Sequence, residues 1–584
     1  MLKKTKIVCT MGPSTDKPGI VEDLIKGGMD VARFNFSHGN HEEQAGRIAR
    51  VREAATKTGF PVALLLDTKG PEMRIGKFAA GKITLTAGQK FTLTARDVTG
   101  DQSIVAISHR GLPGEVVPGN TILLADGLVS LTVDRVDGDD IFTTVQNGGE
   151  IGNNKRLAAP GVAVKLPPLS ERDVADILFG VAQDMDIIAA SFVQRAADVL
   201  AIRKILEEAG AQMDIIAKIE NAEGVRNIDE ILKVADGVMV ARGDLGVEIP
   251  AEEVPLVQKL LIEKCNQVGK PVITATQMLE SMLVNPRPTR AEASDIANAI
   301  FDGSDAIMLS GETAAGAYPV EALTTMARIA ARTESALDYS NMLLNRGLKA
   351  QRTTTGAISH ATVQVAYELG AAAIITVSET GYTARRVAQY RPQAPIFTVT
   401  PSEKTVRRAR LYWGVNPVLG LQAKNTDEMV TNAITLGLTT GVIKEGDLVV
   451  VTAGVPVGTK GTTNMIRVHV VGTILLHGTG VGQRAVTGKV FVAHSHKDVT
   501  DKFQSGDILV IKGIDEETAA FAAKAAAIVT EEGGLTSHAA IVGISFGIPV
   551  IVGVDGATER LADGTVVTVD SARGVIYQGE INAK

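Results

Sequence analysis

Short aliphatic and β-branched runs recur along the first half of the chain, each followed by apolar residues at helical spacing. In order they read "KIVCTMG", "VARFNFSHG", "VALLLDTKG", "DIIAASF", "DIIAKIE", "GVMVARGDLG", "PVITATQ" and "AIMLSGET". Intervening segments such as "VRNIDEILKVAD" and "VPLVQKLLIEKC" carry the helical pattern. Near-continuous apolar strands alternating with helices predict a parallel sheet buried on both faces. Eight such units predict a closed (β/α)8 TIM barrel, an α/β fold. A doubly wound open sheet is the plainer alternative. Polar residues gathered at the strand C-terminal ends, where barrels build their sites, favour closure.

One connection is too long for this scheme. After "LLLDTKGPE" the pattern alternates with period two, as in "KITLTAGQKFTLTA" and "LVSLTVDRVDGDDIFTTV", with "DGDD" as a hairpin turn. Helical spacing resumes at "LSERDVADILFG". We therefore expect the barrel to occupy residues 1–69 and 166–340, with an all-β lid domain, 70–165, inserted at its active face. A further α/β domain is expected over 341–474, and an extra C-terminal domain over 475–584.

At 584 residues the chain exceeds a single core, which agrees with that division. A formal net charge of −7 argues against a nucleic-acid or membrane-surface binder, so an anion site would be built from a few placed cations. Two cysteines, Cys9 and Cys265, suit a reducing compartment. The start "MLKKTKIVCTMGPS" has no apolar run fit for a signal sequence, and no stretch approaches the roughly 20 apolar residues of a membrane span. The expected location is cytoplasmic.

Side chains two apart on a strand share a face. Arg33, Asn35 and Ser37 should therefore point together, as should Lys218 with Glu220 and Arg242 with Asp244. Strands converge at a barrel mouth, which would gather Glu220, Asp244, Lys218 and Arg33 around one pocket. Two carboxylates with room for phosphate oxygens and water suit Mg²⁺ or Mn²⁺. The neighbouring cations point to a phosphorylated substrate. Charge pairs stabilising the rim are the plainer reading, and four costly charges at strand ends weigh against it. On the functional reading Lys218 and Glu220 grip one phosphoryl group and do not neutralise each other. No Walker A loop and no CxxC or HExxH spacing is present, so phosphoryl transfer would rest on metal and cations.

The blocks "RFNFSHG", "LLLDTKGPEMRIG", "IIAKIEN", "VARGDLGVE", "TATQMLESM" and "NPRPTRAEASDIANAIFDGSDAIMLSGETA" resemble the signature segments of the pyruvate kinase family. The resemblance runs to about residue 473, and the remainder is similar to the extra domain of Bacillus-type members. It implies transfer of the phosphoryl group of phosphoenolpyruvate to ADP, the last step of glycolysis. It implies a divalent ion on Glu220 and Asp244. Lys218 would stabilise the moving phosphoryl group and the enolate, Arg33 the phosphate, and Thr276 would serve the proton that completes pyruvate. Substrate would lie among Arg33, Lys218, Gly243, Asp244 and Thr276, and nucleotide near His38, Arg74 and Lys155. Asn35, Ser37, Asp67 and Thr68 match the family's K⁺ site, and Glu72 accompanies K⁺ dependence within the family. Ala125 stands where the family usually has aspartate, and "NKRLA" around Lys155 replaces its Lys-Lys-Gly-Val-Asn. Both departures fall in the expected lid.

"SETGYT" (Ser378, Glu379, Thr380, Gly381, Tyr382, Thr383) follows a strand and opens a helix, which suits anion binding as well as an ordinary N-cap. In the family this loop takes the phosphate of an allosteric effector. The segment "GGLTSHAAIVGISFGIPVIVG" resembles the phosphohistidine domain of phosphoenolpyruvate-utilising enzymes, with His538 at the histidine position. Val542-Gly543 follow where an arginine is usual. The family implies a homotetramer. Two other readings stay open: a phosphotransferase working through His538, and a non-catalytic sugar-phosphate sensor. The second has no need of Lys218, Glu220, Asp244 and Thr276 together.

Overall fold

The computed structural model describes residues 3–162, 164–349, 353–456 and 462–581. Residues of the expected spans beyond these, including both termini, lie outside the described residues. Two compact units divide the chain, residues 1–360 with 378–419, and 361–377 with 420–584.

In the first unit eight parallel strands close a barrel. They are Lys6–Thr10, Val31–Asn35, Ala63–Asp67, Ile187–Ala190, Asp214–Ile219, Gly237–Ala241, Val272–Ala275 and Ala306–Leu309, one from each aliphatic run. Register runs without a break from Asn35 opposite Asp67 to Lys6 opposite Ala306. Alternate residues such as Ile7, Cys9, Phe34, Leu64, Leu66, Ile215, Ala217 and Ile219 pack under the helices in one apolar core. The positions between them, including Arg33, Asp67 and Lys218, turn toward the barrel axis.

The barrel floor has a repeated device. Asp30, Asp186, Asp236 and Asp305 each precede a strand and accept the backbone N–H of a neighbouring strand, from Ile7 (3.0 Å), Leu64 (2.9 Å), Ile215 (2.8 Å) and Val272 (3.0 Å). These bonds satisfy amides that strand pairing leaves open. Cations from residues 391–410 then seat on three of the ring, Arg410 on Asp30 (2.6 Å), Arg407 on Asp186 (2.8 Å) and Arg391 on Asp305 (3.0 Å), while Arg408 seats on Asp214 (3.1 Å) at the start of the fifth strand. Strand Ile396–Thr400 lies in this segment and pairs in parallel with Val415–Leu419, which follows it.

Between the third and fourth barrel strands the chain forms a seven-stranded sheet and a two-stranded ribbon around a separate apolar core. The hairpin read from "DGDD" joins Val129–Asp137 to Asp140–Asn147, with Gly138 at φ +57°. In the second unit Ala373–Val377 pairs in parallel with Leu448–Ala453, which pairs antiparallel with Met465–Val470. From Ile474 onward an eight-stranded sheet makes up the extra C-terminal domain. No helix among the described residues is long and apolar enough to cross a membrane.

Candidate active site

The fifth barrel strand, Asp214–Ile219, carries Lys218 into the centre of a charged cluster. Its Nζ lies 3.0 Å from Asp67 Oδ1 and 3.0 Å from Glu220 Oε1, and donates to Ser191 Oγ at 2.8 Å. Asp67 Oδ2 accepts from Arg33 Nε at 2.6 Å, and Arg33 Nη1 donates to Thr10 Oγ1 at 2.9 Å. Asp67 thus fixes both cations from one buried carboxylate. Burial opposes its charge, but Arg33 and Lys218 hold it below the usual carboxylate range. Burial likewise opposes the charge on Lys218, and Asp67 and Glu220 hold its ammonium above the usual lysine value. Lys218 and Glu220, expected not to neutralise each other, form a direct ion pair. Their shared face brings them together wherever no third group separates them.

Glu220 is 1 % exposed, and its Oε2 accepts from the Phe192 N–H at 2.5 Å. Burial pushes its pKa up to about 7 and the charge of Asp244 adds to the rise, against the pull of Lys218. A carboxylate raised beside a second carboxylate marks a site short of positive charge. Among the described residues no three His, Cys, Asp or Glu side chains form a metal cage. Glu220 and Asp244 would offer two carboxylates to an oxygen-seeking ion such as Mg²⁺, which takes phosphate oxygens and water as further ligands. The donor set fits that ion.

Arg242 departs from expectation. The strand ends at Ala241 and a helix spans Arg242–Glu248, so the two-residue periodicity does not carry across to Asp244. Arg242 instead donates to Asp295 Oδ1 (2.7 Å), to Ala275 O (3.2 Å) and to Thr276 O (2.7 Å). It braces the turn at which Thr276 and Gln277 take φ values of +70° and +55°. A β-branched residue in this region is a genuine outlier, and such strain gathers at working sites. The hydroxyl of Thr276 accepts from the Gly243 N–H at 2.7 Å and donates to Ala275 O at 2.6 Å.

Asp244 pairs instead with Arg156 of the inserted β domain, whose Nη2 also lies 3.9 Å from Glu248 Oε1. Ser191, Thr10 and Arg156 were not foreseen as members of the cluster. A hydroxyl just past a barrel strand, as in "IIAASF", was the available signal for Ser191. A cleft beside the cluster is lined by Glu72, Arg156, Phe192, Asn221, Glu223 and Glu248. Glu72 accepts from Arg74 Nε at 3.0 Å, and Arg74 Nη1 donates to Asn154 O at 2.9 Å. His38 and Lys155 are exposed. Of the residues matched to a K⁺ site, Asn35 Oδ1 accepts from the Ser37 N–H (3.0 Å), and Thr68 Oγ1 accepts from the Ser191 N–H (3.1 Å). Asn35 and Asp67 are register partners on adjacent strands.

The loop 378–383 leads into the helix Tyr382–Ala388, with Gly381 at φ +77° as its N-cap. Glu379 O accepts from Thr405 Oγ1 at 2.8 Å. A Cβ on Gly381 would come within 3.3 Å of the Tyr412 ring, and Tyr412 OH donates to Asp214 Oδ2 at 3.3 Å. Asp214 begins the strand that carries Lys218. In the second unit His538 is exposed and is the first residue of the helix His538–Phe546, capped by Ser537, whose hydroxyl accepts from the Ala540 N–H at 3.3 Å. Val542 is buried, and a Cβ on Gly543 would lie 2.3 Å from Val550, so this turn packs against the sheet.

Residues 2–323 match a family model described as "Pyruvate kinase, barrel domain", and 356–469 match "Pyruvate kinase, alpha/beta domain". Residues 503–574 match "PEP-utilising enzyme, mobile domain". The chain is 54% identical to a pyruvate kinase of Geobacillus stearothermophilus over 582 residues, 99% of each chain. It is 52% identical to one from Bacillus licheniformis over 581 residues, again 99% of each. A solved pyruvate kinase from Cryptosporidium parvum superposes with a TM-score of 0.77 at 40% identity, covering 80% of this chain and 96% of the other.

Proposed function

Because the chain belongs to the pyruvate kinase family and transfers the phosphoryl group of phosphoenolpyruvate to ADP, giving pyruvate and ATP, we propose that Lys218, Arg33 and Thr276 carry the chemistry. Glu220 and Asp244 would hold a divalent ion, Mg²⁺ or Mn²⁺, whose charge would complement the phosphate oxygens. The observation that carries this reading is the cluster at the barrel mouth, with Lys218 Nζ 3.0 Å from both Asp67 and Glu220. Phosphoryl transfer asks a protein mainly for position and fixed charge. Asp67 provides the position by holding Arg33 and Lys218 as two oriented cations. Arg33 neutralises the phosphate as its bond to the enolate oxygen breaks. Lys218, kept charged by its two carboxylates, stabilises the enolate left behind. Thr276, fixed by the Gly243 N–H, serves the proton that reaches carbon three of the enolate to finish pyruvate.

Substrate contacts would come from Arg33, Lys218, Gly243, Asp244 and Thr276, and nucleotide contacts from His38, Arg74 and Lys155. Asn35, Ser37, Asp67 and Thr68 would hold K⁺, supported by their oxygen donors on adjacent barrel strand ends. We assign the barrel to 1–69 and 166–340, the lid to 70–165, the allosteric domain to 341–474 and the extra domain to 475–584. A phosphorylated effector would bind at Ser378–Thr383. The contact of Gly381 with Tyr412, and of Tyr412 with the start of the Lys218 strand, supports a physical route from that loop to the site. The assembly would be a homotetramer, and the two buried free thiols favour a cytoplasmic setting. The packed turn after His538 favours a structural part for the last domain over phosphotransfer.

A coupled assay of pyruvate formation, with Mg²⁺ and K⁺ present or withheld, tests the roles. We expect H538A to keep turnover and K218M to lose it. The reverse would move the chemistry to His538.

A further inference from the structure

The cation that sits on Asp244 comes from the lid. Arg156 opens the lid strand Arg156–Ala158, which pairs antiparallel with Met73–Arg74 and with Thr121–Leu124. Its backbone carbonyl accepts from the Ala125 N–H at 3.0 Å, so the two lid positions that depart from the family's pattern are bonded to each other. Its side chain is 9 % exposed in a fully positioned setting. Nη1 donates to Asp244 Oδ1, Nη2 lies 3.9 Å from Glu248 Oε1, and the guanidinium carbon stands 5.0 Å over the Phe192 ring. Phe192 in turn donates its N–H to Glu220. Asp244 and Glu248 are four residues apart on one helix and so share a face. One guanidinium thereby joins the lid to a carboxylate of the divalent-ion site and packs over the residue that orients the other.

An arginine stays charged at any working pH, and its charge beside Asp244 opposes a divalent ion on the same carboxylate. Resting on the assignment of Glu220 and Asp244 to the metal, we propose that Arg156 is a lid-borne latch that competes with the divalent ion for Asp244. Paired with Asp244, Arg156 fills the charge deficit and holds the lid strand down. Arrival of the ion displaces the guanidinium from Asp244 and frees the lid strand to move. Metal loading and lid release are then one exchange of cations on one carboxylate.

Binding of Mn²⁺ alone, followed by the paramagnetic resonance of the free ion, tests this in the full-length enzyme, with hydrogen exchange of residues 156–158 as the second readout. R156A should bind Mn²⁺ at least about tenfold tighter than wild type. Mn²⁺ should speed exchange at 156–158 in wild type, whereas R156A should exchange fast with or without the ion. R156Q, which keeps length without charge, should bind Mn²⁺ as R156A does. Equal or weaker Mn²⁺ binding by R156A would overturn the latch and make Arg156 an orienting partner of Asp244. So would lid exchange in wild type that ignores Mn²⁺. E220Q separates the two layers, because Mn²⁺ affinity unchanged in that variant would overturn the metal assignment itself.

Discussion

The brace on Thr276 can be tested by removing Arg242. Thr276 and Gln277 both hold positive φ, and each such residue costs roughly 1–3 kcal/mol, or about 2–6 kcal/mol for the turn. Against this stand two charged hydrogen bonds from Arg242, to Ala275 O and Thr276 O, each contributing roughly 1.5–3 kcal/mol. The two sums are comparable, so R242A should let the turn relax toward ordinary backbone angles. Thr276 would then lose its register with the Gly243 N–H. A misplacement of about 1 Å at a reacting group costs on the order of 10²-fold in rate. We expect kcat for pyruvate formation to fall by about that factor. Exchange of the pyruvate methyl protons with solvent should fall at least as far, because that reaction reports the Thr276 end of the site. R242K offers one ammonium in place of a planar fork and should restore little. An R242A enzyme within about threefold of wild type in both assays would refute the strain argument.

Other consequences follow from the floor and the lid. Asp186 has its pKa raised to about 6 from 3.8, mainly by burial and against the charge of Arg407. Its contribution to stability is complete below the unfolded value and is lost as pH rises through about 6. That rise is worth about 3 kcal/mol in all. Denaturant unfolding at pH 4.5 and 7.5 should therefore show the advantage of wild type over D186N shrinking by about 2 kcal/mol, the part of that change that falls between the two pH values, and a constant difference would contradict it. For K⁺, wild-type turnover should drop at least about tenfold when Na⁺ replaces it, whereas E72K should keep its turnover in Na⁺. Equal K⁺ dependence in both would remove Glu72 from the argument.

Much of this was legible in the residues. Each aliphatic run became a barrel strand because a parallel sheet buried on both faces needs continuous apolar side chains, and few other structures do. Lys218 and Glu220 were readable for a related reason, since strand alternation holds to the last residue of the strand and just beyond it. It failed one strand later, where the chain turns helical at Arg242 and the spacing rule no longer applies. Arg156 was invisible in the pattern because its partner Asp244 lies 88 residues away on another element. Ser191 and Thr10 are small hydroxyls whose role depends on what lies across the barrel. The floor was written more openly than it was read. "MDV", "MDI", "MDI", "ADG" and "SDA" each put an aspartate at the threshold of a strand, at residues 30, 186, 214, 236 and 305. Their meaning came only from the amides and arginines that fold onto them.

On the proposed mechanism Lys218, held between Asp67 and Glu220, is the fixed cation on which phosphoryl transfer depends. K218M is the direct measurement, with pyruvate formation and Mn²⁺ binding followed on the same preparation. Loss of a charge aimed at a transferring phosphoryl group costs on the order of 10³-fold or more. A fall of at least that size is expected, with Mn²⁺ still bound at Glu220 and Asp244. A K218M enzyme that binds Mn²⁺ and turns over within about tenfold of wild type would contradict it.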